Sequence, residues 1–150
     1  MNLNRYKKLL QRSTLSCLSR TCDVVIFSFD TQCGNEVRLH VLGTFRMVDK
    51  EHMLLVAYED MFLRGKEYKK KKFKYDTVGG TVFDDKVKEH NSKFIDIIAR
   101  DVEFKGRDLY ITLENDVKIE VTVYSHKDDT EFYRLFMKND LDSHYVVENL

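Results

Sequence analysis

The strongest constraint on the fold is a two-residue alternation of inward and outward side chains in four segments. Val24–Asp30 and Glu36–Leu42 carry it in the first half of the chain, and Leu109–Glu114 and Val117–Tyr124 carry it in the second. Successive side chains of a β-strand point to opposite faces, so this period predicts strands that bury one face. Short polar turns separate the members of each pair, which favours antiparallel hairpins.

Two other segments have helical spacing. Leu3, Tyr6, Leu9 and Leu10 lie on one face of a helix over residues 3–11, and Phe83, Val87 and Phe94 are spaced similarly after Thr81. We therefore expect an α+β fold, mostly antiparallel β-sheet, with two short helices. The remaining predicted strands are Leu15–Arg20, Thr44–Val48, His52–Tyr58, Ile95–Phe104 and Ser143–Val147, while Glu131–Met137 fits either a strand or a helical turn.

The two halves of the chain resemble each other. Val25–Asp30 aligns with Leu109–Glu114, and Glu36–Val41 aligns with Asp116–Val121. One interpretation is a pseudo-repeat of two helix-plus-meander units that share one core; the other is that any two hairpins of similar size look alike at period two. At 150 residues we expect a single domain, 1–150, with halves of about 1–63 and 82–150 joined by a loop over 64–81.

The net charge of zero conceals an asymmetry between the halves. Residues 1–74 hold 15 Lys and Arg against 8 Asp and Glu, whereas residues 75–150 hold 10 against 17. Three cysteines without Cys-x-x-Cys spacing fit unpaired thiols in a reducing cytoplasm, and for Cys17 and Cys22 we expect buried, inert thiols. No apolar run reaches the roughly 18–20 residues that a membrane span needs, so no membrane association is expected.

Two charged segments are candidate binding surfaces. The basic loop around Tyr68 and Phe73 suits anions, whereas the acidic, aromatic segment 126–142 with its C-terminal continuation suits a basic protein. A pI of about 7 argues against a nucleic-acid binder, and solvated surface charge is the alternative for both. The candidate anion-binding residues are Lys69, Lys70, Lys71 and Lys72, and the candidate partner-binding residues are Asp128, Asp129, Glu131, Asp140, Asp142 and Tyr145.

The sequence offers little catalytic chemistry. The five histidines are well separated, and none forms a pair with the spacing of metal ligands, so no metal or cofactor is expected. His126 beside Asp128 and Asp129 is the one arrangement that suits acid–base work, although charged loops after strands are common. We assign Arg46 and Arg134 to buried or half-buried pairing within the fold.

The second half also resembles a known group of proteins. The segments that carry the resemblance are Phe83–Lys88, Asp108–Asn115, Glu120–Val121, Glu131–Phe136 and His144–Val147. They are similar to small, mostly uncharacterised cytoplasmic proteins of Firmicutes, several of which are encoded beside cell-wall-associated polymorphic toxins and are regarded as immunity proteins. The resemblance implies a non-catalytic cytoplasmic inhibitor whose partner is a toxin domain.

Two hypotheses of other classes stay open. One is an RNA-associated accessory protein that uses the loop Lys69–Lys72, for which binding should fall steeply with added salt. The other is an enzyme centred on His126, which needs a deep pocket with converging polar groups.

Overall fold

The computed structural model describes residues 3–127 and 130–148, without the side chains of 141–143, 147 and 148. It contains the two expected short helices, α1 (Leu3–Leu10) and α2 (Val82–His90), and two 3₁₀ helices, Tyr58–Phe62 and Asn91–Lys93. The ten strands are β1 (Thr14–Thr21), β2 (Val24–Asp30), β3 (Glu36–Val41), β4 (Thr44–Val48), β5 (Leu54–Ala57), β6 (Ile97–Lys105), β7 (Asp108–Leu113), β8 (Lys118–Thr122), β9 (Glu131–Met137) and β10 (Asp140–Glu148).

All ten strands belong to one antiparallel sheet, in the order β10-β9-β3-β2-β1-β6-β7-β8-β4-β5. The α+β class and the antiparallel sheet are therefore confirmed. Most neighbours in the sheet are also neighbours in sequence, but two pairs are not: β3 pairs with β9, and β4 pairs with β8. Each half of the chain thus places its last hairpin against a strand of the other half.

The sheet curls so that strands far apart in its order face each other across the core. Phe27 on β2 and Phe45 on β4 lie far apart in the strand order, yet their ring centroids are 5.3 Å apart in an edge-to-face contact. At the bend, β1 and β6 pair at only two positions, Thr14 with Ile98 and Leu15 with Ile97. The result is two layers, β10-β9-β3-β2-β1 and β6-β7-β8-β4-β5, with the core between them.

The inward-facing apolar side chains of the predicted alternating strands fill that core. Every second residue of β3 and β7 is fully buried, and the residues between them are partly exposed. Burying one such aliphatic side chain stabilises the fold by roughly 1.5–3 kcal/mol. The fully buried side chains of these two strands are Val37, Leu39, Val41, Leu109, Ile111 and Leu113.

The chain passes from one layer to the other at Gly43, between β3 and β4. A Cβ added there would lie 3.0 Å from the ring of Tyr124 and 3.3 Å from the ring of Phe132. The backbone N–H of Leu42 donates to the carbonyl of Phe132 over 2.9 Å, which holds this crossing against β9. Glycine is needed here because the backbone packs directly beneath two aromatic rings.

The helix α2 closes the open side of the core beside β5. Thr81 caps its first turn in the pattern that Thr81 and Asp84 predict: the Thr81 hydroxyl accepts from the Asp84 N–H, and the Asp84 carboxylate accepts from the Thr81 N–H. The buried ring of Phe83 then packs edge-to-face on Phe45, with 6.3 Å between centroids. A sequence-encoded cap therefore places an aromatic side chain in the core.

Candidate partner-binding surfaces

The acidic segment is only partly described. Asp128 and Asp129 lie outside the described residues, and of Asp142 the structure describes the β10 backbone alone. Glu131 accepts two hydrogen bonds from Arg134, at 2.7 and 2.9 Å. Asp140 begins β10 and is half-buried, and Tyr145 packs partly buried against the core. Glu131 is therefore held by an internal ion pair, which confirms the predicted pairing of Arg134 within the fold.

Arg134 also anchors an aromatic stack on the outer face of β3, β9 and β10. Its guanidinium lies within hydrogen-bonding distance of Nδ1 of His144, at 3.1 Å. The His144 ring stacks on Phe136 at 4.5 Å, and Phe136 meets His40 edge-to-face at 4.7 Å. These contacts fasten the edge strand β10 to its neighbours.

His40 lies at the inner end of this stack. Its Nε2 atom is buried and has no hydrogen-bond partner among the described residues. Burial lowers the pKa of His40, and the nearby cations Arg38 and Arg134 lower it further. A neutral ring is the form that this apolar, cation-flanked position favours.

The basic loop is folded around Arg64. This guanidinium donates to the carbonyls of Lys70 (2.8 Å) and Lys71 (3.1 Å), and it lies 5.1 Å from the ring centroid of Tyr68. Phe73 packs on Tyr68 from another side, with 5.2 Å between centroids. Both aromatic rings are thus engaged within the loop, whereas the candidate anion-binding side chains Lys69, Lys70, Lys71 and Lys72 are exposed.

A buried ion pair, which the sequence did not identify, ties this loop to the sheet. The side chain of Arg20 on β1 is 1% exposed, and it donates twice to the carboxylate of Asp84, at 2.8 and 3.0 Å. Arg20 also donates to the carbonyl of Thr77, and Asp84 accepts from the N–H of Gly79. The only sequence signal was the Thr81-x-x-Asp84 cap, which located Asp84 but not its partner.

An open groove of about 590 Å³ lies over the outer face of β7, β8, β4 and β5. One cross-strand row forms its floor: Tyr110 pairs with Glu120, Glu120 with Arg46, and Arg46 with Ala57. The Arg46 guanidinium donates to the Glu120 carboxylate, so Arg46 pairs within the fold as predicted. The expected burial of Arg46 was wrong, because its side chain is 48% exposed on the outer face of β4. Leu54, Tyr58 and Glu59 wall the opposite side.

Carboxylates gather around Tyr110 at the far end of the row. Its hydroxyl donates to Asp108 over 3.4 Å, and the amine of Lys105 lies 5.3 Å from the ring centroid. Desolvation raises the pKa of Tyr110, and the charges of Asp108, Glu120 and Glu103 raise it further. The groove was not predicted, although the alternation of Val117, Ile119, Val121 and Val123 placed Glu120 on the outer face.

Large apolar side chains are exposed at the edge of the sheet next to this groove. Met53 and Leu54, at the start of β5, are 63% and 55% exposed, and Leu63 after the 3₁₀ helix is 53% exposed. The ring of Phe62 continues this region towards Tyr75, with 5.2 Å between centroids. Neighbouring exposed apolar groups are typical of contact surfaces.

The expected burial of Cys17 and Cys22 was wrong: both are exposed, as is Cys33. The hydrogen bond between Thr31 Oγ1 and Cys33 Sγ lowers the pKa of the Cys33 thiol. His126 is exposed beside a shallow cavity that it shares with Arg107 and Ser125.

Within residues 3–127 and 130–148, no three His, Cys, Asp or Glu side chains are grouped as metal ligands, and no helix is long and apolar enough to cross a membrane.

Comparison with known proteins finds no matching family model, no similar curated protein and no similar solved structure. The functional assignment therefore rests on these surfaces and on the sequence resemblance.

Proposed function

We propose that the chain is a non-catalytic cytoplasmic binding protein, an immunity protein that neutralises a polymorphic toxin domain by direct contact. The observation that carries this proposal is the groove over β7, β8, β4 and β5 with exposed apolar side chains at its rim. The resemblance of residues 83–147 to toxin-linked immunity proteins supplies the partner class.

The composition of this surface supports a protein ligand. Tyr110 and Leu54 offer apolar area, and Arg46 and Glu120 offer polar groups that are already oriented by their own ion pair. Interfaces concentrate their binding energy in tyrosine and arginine anchors of this kind. Preorganised anchors also lose little conformational entropy when a partner arrives.

The two charged segments have different roles: the acidic segment belongs to this proposal, and the basic loop to its alternative. The acidic segment, with Asp128, Asp129, Glu131, Asp140, Asp142 and Tyr145, is a second contact that steers a basic toxin domain. The lysines of the basic loop are the basis of the RNA-associated alternative. Because Tyr68 and Phe73 pack against each other and against Arg64, that alternative depends on phosphate contacts alone.

The strand order supports a related proposal, that the two halves form a pseudo-repeat of helix-plus-meander units. β1 and β6 meet at the bend, and β5 and β10 end the sheet on opposite sides. Each half contributes a helix followed by five strands. The last hairpin of each half pairs with a strand of the other half, β4 with β8 and β9 with β3.

Co-expression tests the immunity function. The C-terminal domain of an exported toxin encoded next to this chain is induced in a bacterial host with and without the chain. We expect growth only when the chain is present, and a stoichiometric complex on size-exclusion chromatography. Continued killing in the presence of folded chain would exclude the function, whereas salt-sensitive RNA retention without a protein complex would favour the alternative.

A further inference from the structure

We propose that the groove over β7, β8, β4 and β5 receives a basic side chain, lysine or arginine, from an exposed extended segment of the partner. This inference rests on the proposed function and specifies the chemistry of its binding site. It is supported by the shape of the groove, the charges around it and the apolar rim.

The shape suits a long side chain with an apolar stem. Ala57 and the methylene groups of the Arg46 and Glu120 row form a low floor, while Tyr110 stands at one end and Leu54 at the other. Lysine and arginine bury their methylene stems on apolar surface and keep the charged group near polar partners. Tyr110 and Leu54 therefore provide contacts for the stem.

The charge balance selects the sign of the head group. Glu59 and Glu120 line the groove against one lining cation, Arg46. Behind Tyr110 lie Asp108 and Glu103, with Lys105 over the ring. The groove lining itself therefore carries two carboxylates and one cation. A groove of this balance attracts a cationic side chain and repels a carboxylate, which fixes partner choice more than affinity.

Glu59 is the carboxylate best placed to meet the incoming charge. It is exposed at the start of the 3₁₀ helix Tyr58–Phe62, on the wall opposite Tyr110, and it lines the groove. Glu120 is already hydrogen-bonded to Arg46 and is 16% exposed, so it acts mainly as a fixed part of the floor.

The probe that tests this inference without the toxin is a pair of short peptides. Acetyl-Gly-Leu-Arg-Leu-Gly-amide and its analogue with Glu in place of Arg are titrated into the isotopically labelled full chain, and amide shifts are followed by NMR. We expect the arginine peptide to shift the signals of Leu54, Glu59 and Tyr110, and the glutamate peptide to leave them in place.

The matched variants are Glu59→Lys in the groove and Glu114→Lys on the turn after β7, outside the groove lining. Glu59→Lys should weaken arginine-peptide binding by about tenfold, whereas Glu114→Lys should retain it. Equal shifts with both peptides, shifts elsewhere on the surface, or full binding by Glu59→Lys would overturn the inference. So would concentration-dependent self-association of the free chain through this groove, because the occupant would then be a second copy.

The co-expression test with the toxin domain, repeated with Glu59→Lys, distinguishes the immunity function from the groove assignment. If the wild-type chain protects and Glu59→Lys does not, both proposals stand. If both protect and the arginine peptide leaves the groove unshifted, the immunity function stands and the groove assignment fails. If neither protects while the arginine peptide binds the groove, the binding chemistry stands and the toxin partner is excluded.

Discussion

At the scale of single residues, the Arg20–Asp84 ion pair connects β1 to the start of α2 and to the loop before it. The Arg20 guanidinium is almost completely buried and is surrounded by the Asp84 carboxylate and the carbonyls of Cys22 and Thr77. Asp84 in turn holds the N–H groups of Gly79 and Thr81. A buried cation is tolerated only when it is paired and hydrogen-bonded in this way, and loss of one partner leaves the other charge unsatisfied.

We predict that Arg20→Met lowers the free energy of unfolding by about 3–5 kcal/mol, because it leaves Asp84 without its buried partner. Urea denaturation followed by circular dichroism measures this loss. Arg20→Lys is the matched control: it keeps the charge without the bidentate geometry and should lose less. A loss no greater than that of an exposed ion pair, below about 1 kcal/mol, would contradict the anchoring role.

The same pair makes stability depend on pH. Burial acts to raise the pKa of Asp84, but the hydrogen bonds from Arg20 and Thr81 outweigh it and hold that pKa below its ordinary value of 3.8. A depressed pKa means that the contribution is complete above the unfolded value and is lost as the pH falls through the folded one. Acid unfolding should therefore steepen below about pH 4 in the wild type, and Arg20→Met should flatten that dependence.

At the scale of elements, the basic loop 64–81 is ordered by its own side chains. Arg64 bonds two loop carbonyls, the Tyr68 hydroxyl donates to the carbonyl of Lys72, and the N–H of Lys74 donates to that hydroxyl. The sequence predicted a loop here from lost periodicity and found its lysines. It did not predict that Arg64 organises the loop, because no local pattern marks which cation lies over an aromatic ring.

We predict that Arg64→Gln frees residues 68–74 and leaves the sheet intact. Amide hydrogen exchange in this segment should accelerate, since the substitution removes the cation over Tyr68 and Phe73 and the paired donors to Lys70 and Lys71. Arg64→Lys restores the charge with a single donor group and should recover only part of the protection. Unchanged exchange in Arg64→Gln would show that Tyr68 alone orders the loop.

At the scale of the whole molecule, the two halves depend on each other because the last hairpin of each pairs with a strand of the other. β9 fills the sheet beside β3, and β4 fills it beside β8, so neither half contains a complete layer. Each layer would lose strands if the other half unfolded. We therefore expect a single unfolding transition, as small domains with one core usually show.

A cut in the connecting loop tests this dependence. With a specific protease site inserted at residues 69–72, where the lysines are exposed, the cleaved halves should stay together on size-exclusion chromatography and separate only in denaturant. After separation each half should be largely unfolded, because its core-facing strands lack their partners. Recovery of two independently folded fragments would contradict the shared core.

The sequence by itself determined the class of the fold and most of its elements. Strict alternation located β2, β3, β7 and β8 and their buried faces, and Thr81 marked the start of α2. These features are local: a period of two or a capping residue acts within a few residues, so it can be read without the partner strand.

Only the tertiary structure decided which strands meet and which side chains form surfaces. The pairing of β3 with β9 and of β4 with β8 joins segments from opposite halves, and no turn or period specifies such a contact. The groove exists because β7, β8, β4 and β5 become neighbours, and Arg20 is buried because Asp84 arrives from another element. The strand pairing, the groove and the burial of Arg20 all depend on contacts between residues far apart in sequence, which form only when the core is assembled.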